Sequence, residues 1–287
     1  MMNGIPTFVK WAGGKKQLLP QFKSFFPEKI ERYFEPFVGG GAIAFYIIKY
    51  YRPKFVYLSD SNDELINAYK VIRDNVEELI EGLKEYKKKH SKEFYYKIRA
   101  LHPDKLSNIE RAIRFIYLNK TCFNGLYRVN SKGEFNVPIG SYKNPAIYNE
   151  HELKEISYLI QKTKIHTGQF YEIQNETKKN DFAYFDPPYY PIKKESFTTY
   201  TKETFLEKEQ ERLAELFKRL DKKGVKVMLS NSDSTFIKNL YNGYRIKIVK
   251  ARRMINCIPE GRGKINEVVI TNYNGNLRKQ KNLATSE

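Results

Sequence analysis

Four apolar residues run straight into a double proline: Phe182-Ala183-Tyr184-Phe185 is followed by Asp186-Pro187-Pro188-Tyr189. A short apolar run without alternation predicts a strand buried on both faces. Neither proline can donate a ladder hydrogen bond, so the chain must leave the sheet at the carboxyl end of that strand. Open α/β sheets bind ligands at that edge. Elsewhere strand-like runs alternate with helical patterns, which predicts an α/β sheet with crossover helices. Strands are expected over residues 32–38, 55–58, 182–185, 225–229, 244–249 and 267–273, and helices over 18–26, 42–51, 109–122 and 203–220.

The texture changes after Asp60. Residues 63–102 are rich in lysine and glutamate at helical spacing, and a hairpin pattern follows. It reads Tyr127-Arg128-Val129-Asn130, a Ser131-Lys132-Gly133 turn, then Glu134-Phe135-Asn136-Val137-Pro138. Glycine at the last turn position suits a left-handed conformation. The expected organisation is a discontinuous domain, 1–60 with 164–274, interrupted by an insert of helices and one hairpin over 61–163, with a tail over 275–287.

Charge narrows the function classes. There are 51 Lys+Arg against 33 Asp+Glu in 287 residues, a net +18, which makes a field that attracts polyanions, nucleic acid above all. The 22 tyrosines and 19 phenylalanines add faces on which unpaired bases can stack. Residues 42–48, the longest apolar run, are too few to span a bilayer, and the start has no signal-peptide pattern. Cys122, Cys257 and the scattered His90, His102, His151 and His166 offer neither a disulfide framework nor metal-ligand spacing. A soluble protein of a reducing compartment, without a metal, is expected.

Two motifs carry chemistry. Phe34-Glu35-Pro36-Phe37-Val38-Gly39-Gly40-Gly41 reads as strand, glycine turn and helix start, with Asp60 ending the next strand about 20 residues on. That arrangement suits a nucleotide-like ligand, with the acidic group on ribose hydroxyls; a purely structural turn remains the alternative. Gly13-Gly14-Lys15 is no phosphate loop, because Lys16 stands where Ser or Thr is required. At Asp186-Pro187-Pro188-Tyr189, a carboxylate, a carbonyl and an aromatic ring lie side by side. The first two can accept both hydrogens of an exocyclic amine while its ring stacks on the third. Alkylating adenine N6 requires such acceptors, because that nitrogen's lone pair is delocalised into the base. A proline-terminated surface turn is the bland alternative.

In their order, Lys10-Trp11-Ala12-Gly13-Gly14-Lys15, Glu35-Pro36-Phe37-Val38-Gly39-Gly40-Gly41, the insert, Asp186-Pro187-Pro188-Tyr189 and Gly261-Arg262-Gly263-Lys264 resemble the Dam-like, GATC-type DNA adenine-N6 methyltransferases over nearly the whole chain. The resemblance implies a Rossmann-like class I methyltransferase sheet with a target-recognition insert. It implies transfer of a methyl group from S-adenosyl-L-methionine to adenine N6 in double-stranded DNA, by base flipping, with S-adenosyl-L-homocysteine as product and no metal. Trp11, Lys15, Phe37, Gly39, Gly41, Asp60, Phe170 and Asp186 would hold the cofactor. Gln169 departs from the family, which commonly has Asp there.

By the same resemblance Asp186 and the Pro187 carbonyl would accept the N6 hydrogens, with Pro188 completing the motif and Tyr189 stacking on the extruded base. Lys10, Asn124, Leu126, Arg128 and Pro138 would face DNA, with Arg128 and Lys10 on guanines and Leu126 and Pro138 supplying apolar selection. A cytoplasmic enzyme of bacterial or phage type follows, monomer or weak dimer, with or without a cognate restriction endonuclease sharing its site. The rivals are methylation of cytosine N4 or of RNA adenine, and a DNA-binding protein that has lost catalysis.

Overall fold

The computed structural model describes residues 4–191, 205–252 and 264–275. Two compact units divide the chain, each assembled from three stretches. The first comprises Met1–Gly14, Val38–Tyr50 and Ser59–Thr167; the second comprises Lys15–Phe37, Tyr51–Leu58 and Gly168–Glu287.

The elements in chain order are α1 (Leu19–Phe22), β1 (Arg32–Glu35), α2 (Ala42–Tyr51), β2 (Phe55–Asp60), α3 (Asp63–Asp74), α4 (Val76–Lys88), α5 (Lys92–Arg99), α6 (Asn108–Thr121), α7 (Glu150–Ile160), β3 (Thr163–Thr167), α8 (Ile173–Glu176), β4 (Phe182–Phe185), α9 (Glu207–Lys222), β5 (Lys226–Ser232), α10 (Thr235–Leu240), β6 (Arg245–Arg252) and β7 (Lys264–Thr271). Seven strands form one sheet in the order β3-β2-β1-β4-β5-β7-β6. β1 pairs in parallel with β2 and β4, and β4 with β5, whereas β7 runs antiparallel to β5 and β6. This is the expected mixed, mostly parallel Rossmann-like sheet.

In the second unit β4 is buried along its whole length, as its unbroken apolar run requires. Ala183 and Phe185 point into a core with Leu213, Phe217 and Leu220 of α9. Phe182 and Tyr184 take the opposite face, where Tyr184 meets Phe22 and Phe182 meets Phe26, each pair with centroids 6.2 Å apart. The apolar spacing over 18–26 therefore marks anchoring to the sheet, not helix length. The α-helix covers only Leu19–Phe22, and a tight turn follows, with Phe25 N–H donating to the Phe22 carbonyl at 2.9 Å. β1 stops at Glu35, short of the expected Val38, because Pro36 has no N–H for the ladder.

In the first unit α3 and α6 pack against each other, and Leu65 and Tyr69 of the one and Ala112 and Ile116 of the other are buried. Arg111 of α6 ties them further by pairing with Asp63 and Glu64. Ser107 and Glu110 close a reciprocal capping box at the start of α6. The hairpin is reduced to one antiparallel bridge, Val129 with Phe135, and Gly133 has φ +78° at its turn as expected. Helices α7, α8 and α10 and strand β3 are not anticipated by the sequence pattern. Gly261-Arg262-Gly263, Cys257 and the first residues of the helix expected from 203 lie outside the described residues.

Candidate active site and nucleic-acid interface

Register places the acceptor motif of the second unit. Phe185 of β4 pairs with Leu229 of β5, which brings Ser230 beside Asp186 just past the strand end. Ser230 Oγ donates to Asp186 Oδ1 at 2.9 Å and lies 2.8 Å from the Tyr184 hydroxyl. Lys15 Nζ stands 2.8 Å from Asp186 Oδ2; its side chain is 4% exposed and that of Asp186 19%. A half-buried carboxylate thus has one oxygen on an ammonium and the other on a hydroxyl, which fixes its direction.

The rest of the motif is held just as closely. Gln210 Nε2 of α9 donates to the Pro188 carbonyl at 2.9 Å, and Asn231 Oδ1 accepts from Tyr190 N–H at 3.1 Å. Asn231 Nδ2 donates in turn to Gln210 Oε1 at 3.0 Å, both residues being buried. The Tyr189 hydroxyl donates to Glu267 Oε2 at 2.7 Å, and Lys15 Nζ lies 4.8 Å from the Tyr189 ring centroid. Burial pushes the Tyr189 phenol well above its ordinary value, with the Asp186 and Glu267 charges adding to the effect, so at neutral pH it is a donor. Burial also raises the Glu267 carboxyl, opposed by Lys15 and the Tyr189 hydrogen bond.

Two further expected cofactor residues meet in the same unit. Phe37 stacks on Phe170 with centroids 5.5 Å apart and planes at 21°. Phe170 also lines a cavity of about 330 Å³ with Tyr171, Gln174, Asn175, Arg212 and Arg219. Gln169 starts the turn before Phe170, its N–H bonded to Glu172 Oε1 at 2.8 Å.

The first unit holds the glycine turn. Asp60 Oδ2 accepts from Gly39 N–H at 3.1 Å and Oδ1 from Asn62 N–H at 3.0 Å. Burial raises the Asp60 carboxyl, and these backbone donors hold it back. Gly39 has φ +47°, and a Cβ there would come within 2.8 Å of Trp11 Cδ1. Gly41, at φ +75°, would drive a Cβ into the Tyr69 hydroxyl and the Phe45 ring. Trp11 in turn stacks on Tyr127, with centroids 6.1 Å apart.

The residues expected on DNA all belong to this unit. Asn119, fully buried near the end of α6, joins two of their segments. Its Oδ1 accepts from Lys10 N–H at 2.7 Å, and its Nδ2 donates to the Lys10 and Gly125 carbonyls at 2.9 and 3.0 Å. Lys10 Nζ reaches the Lys120 carbonyl at 3.3 Å and lies 3.8 Å from the Tyr142 centroid. Asn124 takes φ +54°, a left-handed conformation that asparagine tolerates better than most residues. The Pro138 carbonyl accepts from Phe123 N–H at 2.9 Å, next to Asn124 and Leu126 in the chain. Arg128 Nε donates to Asn136 Oδ1 at 2.6 Å across the hairpin.

Sequence reasoning missed Asn119, Gln210, Ser230, Asn231 and Glu267. Ser230 and Asn231 could have been found by asking which residues at the end of the neighbouring strand fall beside Asp186. Asn119 lies 109 residues from Lys10 and Glu267 78 from Tyr189, and neither long-range bond has a local signal. Among the described residues no three His, Cys, Asp or Glu side chains gather into a metal site, and no helix is long and apolar enough to cross a membrane.

A carboxylate, two proline carbonyls and an aromatic ring at the end of a parallel strand of a mostly parallel sheet are the features of an amine-directed methyltransferase. The chain belongs to the D12 class N6 adenine-specific DNA methyltransferases, matching that family over residues 11–255. It is 46% identical to the type II methyltransferase M.MjaIII of Methanocaldococcus jannaschii, with 94% of this chain and 99% of the relative covered. Identity to the type II methyltransferase M1.LlaDCHI of Lactococcus lactis subsp. cremoris is 45%, covering 94% and 96%. The DNA adenine methylase of Haemophilus influenzae is 37% identical, covering 91% and 92%. The protein is an enzyme that methylates the N6 amine of adenine in DNA.

Proposed function

We propose that the chain methylates adenine within GATC in duplex DNA, with S-adenosyl-L-methionine as donor. The observation that carries the reading is the Asp186 carboxylate, fixed between Lys15 and Ser230 at the end of β4. Asp186 and the Pro187 carbonyl accept the two N6 hydrogens and draw the nitrogen toward a nucleophilic geometry. Tyr189 stacks on the base, which must be extruded because its amine is otherwise paired. The residues suit the donor: in the first unit Asp60 offers a carboxylate to a ribose diol, next to Gly39 and with Trp11 and Gly41 in the same turn region, and in the second Phe37 and Phe170 offer aromatic faces to a purine, with Lys15 and Asp186 paired. When bound, S-adenosyl-L-methionine supplies an electrophilic methyl group on a sulfonium. The chain's part is positioning and fixed charge, and the N6 proton leaves to solvent.

Residues 61–163 act as the target-recognition segment, and 1–60 with 164–274 as the catalytic domain. Arg128 and Lys10 each read a guanine, Leu126 and Pro138 select by apolar contact, and Asn124 enters the duplex interface. Resemblance to DNA adenine methylases supports GATC, and the type II names of two relatives support a restriction-modification setting with an endonuclease reading the same site. A cytoplasmic monomer or weak dimer is part of this reading. The test follows tritium from labelled S-adenosylmethionine into a GATC duplex and into one with those four bases scrambled. Label on N6-methyladenine in the first alone supports the proposal. Label in both discards GATC specificity, and label in neither sinks the donor and substrate assignment together.

A further inference from the structure

We propose that Glu267 is a positioning residue for methyl transfer: by accepting the Tyr189 hydroxyl hydrogen bond it fixes the ring on which the target base stacks. The inference rests on Tyr189 stacking on that base, as proposed above, and adds a residue from the far end of the chain.

The backbone and the side chain of Tyr189 are held by different groups. Gln210 on the Pro188 carbonyl and Asn231 on Tyr190 N–H secure the backbone on either side. The ring lies beyond these bonds. Its hydroxyl donates to Glu267 at 2.7 Å, faces Ser230 as well, and one side of the ring lies 4.8 Å from Lys15 Nζ. Glu267 is itself rigidly placed, since its Cα pairs with Ser232 of β5 and with Val249 of β6 while the next three residues, Val268, Val269 and Ile270, are buried. An interior sheet strand therefore carries the acceptor, and a loop that opens on Asp186 and two prolines carries the ring. A tyrosine keeps two side-chain torsions, and a hydrogen bond at the far end of the ring constrains both.

This division predicts a separable defect. Removing the acceptor frees the ring without releasing the loop, so orientation suffers while DNA affinity stays. Glutamine keeps an acceptor oxygen at the same place and discards the charge, so it distinguishes orientation from electrostatics.

The experiment uses the full chain and a duplex whose target adenine is replaced by 2-aminopurine, whose fluorescence rises on unstacking and is quenched on an aromatic face. Turnover on the unmodified duplex is measured in parallel. For Glu267→Ala we expect kcat to fall roughly 10- to 100-fold, KM for DNA to stay within about threefold, and the bound 2-aminopurine signal to brighten. Glu267→Gln restores both readouts. Tyr189→Phe, which keeps the face and loses the hydroxyl, matches Glu267→Ala, and the double variant is no worse than either single one, because both remove the same interaction. Parent-like behaviour of Glu267→Ala overturns the proposal, as does a Glu267→Gln variant as impaired as the alanine. A parent enzyme that leaves adenine unmethylated in every duplex overturns the underlying reading instead, and the fluorescence cycle still reports whether the two residues are coupled.

Discussion

Lys15 Nζ and Asp186 Oδ2 lie 2.8 Å apart, so the carboxylate at the centre of the acceptor motif carries a cation as a permanent neighbour. With Ser230 on its other oxygen, Asp186 is a well-aimed hydrogen-bond acceptor. That suits a reaction in which the amine must be oriented first and deprotonated last.

Asp186→Asn tests this directly. The amide keeps an oxygen for Ser230 and the volume of the site, but it loses the charge that faces Lys15. We expect kcat to drop about 10²- to 10³-fold, and binding of S-adenosylmethionine, measured by calorimetry, to weaken far less than kcat falls. Retained turnover would remove Asp186 from the acceptor role.

Arg128→Ala should relax base selection at one position of the site by about 1–3 kcal/mol. Asn136 Oδ1, 2.6 Å from Arg128 Nε, aims the guanidinium, so Asn136→Ala should relax the same position by a smaller amount. Competition among base-substituted duplexes reads both. A uniform loss across all duplexes would instead mark Arg128 as a phosphate contact.

Asn119→Leu removes the bonds that join the Lys10 backbone to Gly125. Selection should then weaken together at the positions read by Lys10 and by Arg128, where Arg128→Ala affects one. Burying three unmatched backbone groups also costs about 1–3 kcal/mol each in stability, which thermal melting will show. Loss of stability with selection intact would make Asn119 merely structural.

The pH dependence of stability has a definite sign at Asp60. Burial raises its carboxyl above the ordinary 3.8, so the native state holds the proton more tightly than the unfolded chain. That contribution is fully present below 3.8 and is lost as pH climbs through the raised value. Asp60→Asn carries no such cost. Its melting temperature relative to the parent should therefore rise as pH climbs from 3.8 upward. A difference that is flat with pH would contradict the raised carboxyl.

Much of this was legible in the order of residues. Phe182–Phe185 had to be an interior strand because it is apolar throughout and stopped by prolines, and the glycine turn with Asp60 follows from spacing alone. The hairpin turn at Gly133 was set by its need for positive φ, and the structure has it. What escaped was of two kinds. β3 alternates too briefly, burying only Thr163 and Ile165, to stand out in a pattern. Asn119 and Glu267 act on residues 109 and 78 positions away, and no local rule reports such a partner. The length of α1 was misjudged because buried positions spaced like a helix also suit a turn pinned to a sheet.

The first unit's assembly from three stretches bears on how sequence preference is exchanged between enzymes of this kind. Thr7 N–H binds Glu152 at 3.2 Å, Lys49 pairs with Glu155 at 2.6 Å, and Lys10 hangs on Asn119. A chimera that transplants only 61–163 leaves Thr7, Lys10 and Lys49 behind in a host whose own residues fit a different insert. On the proposed reading of 61–163 as the target-recognition segment, a transplant that keeps these contacts carries residues 4–14 and 38–50 with it.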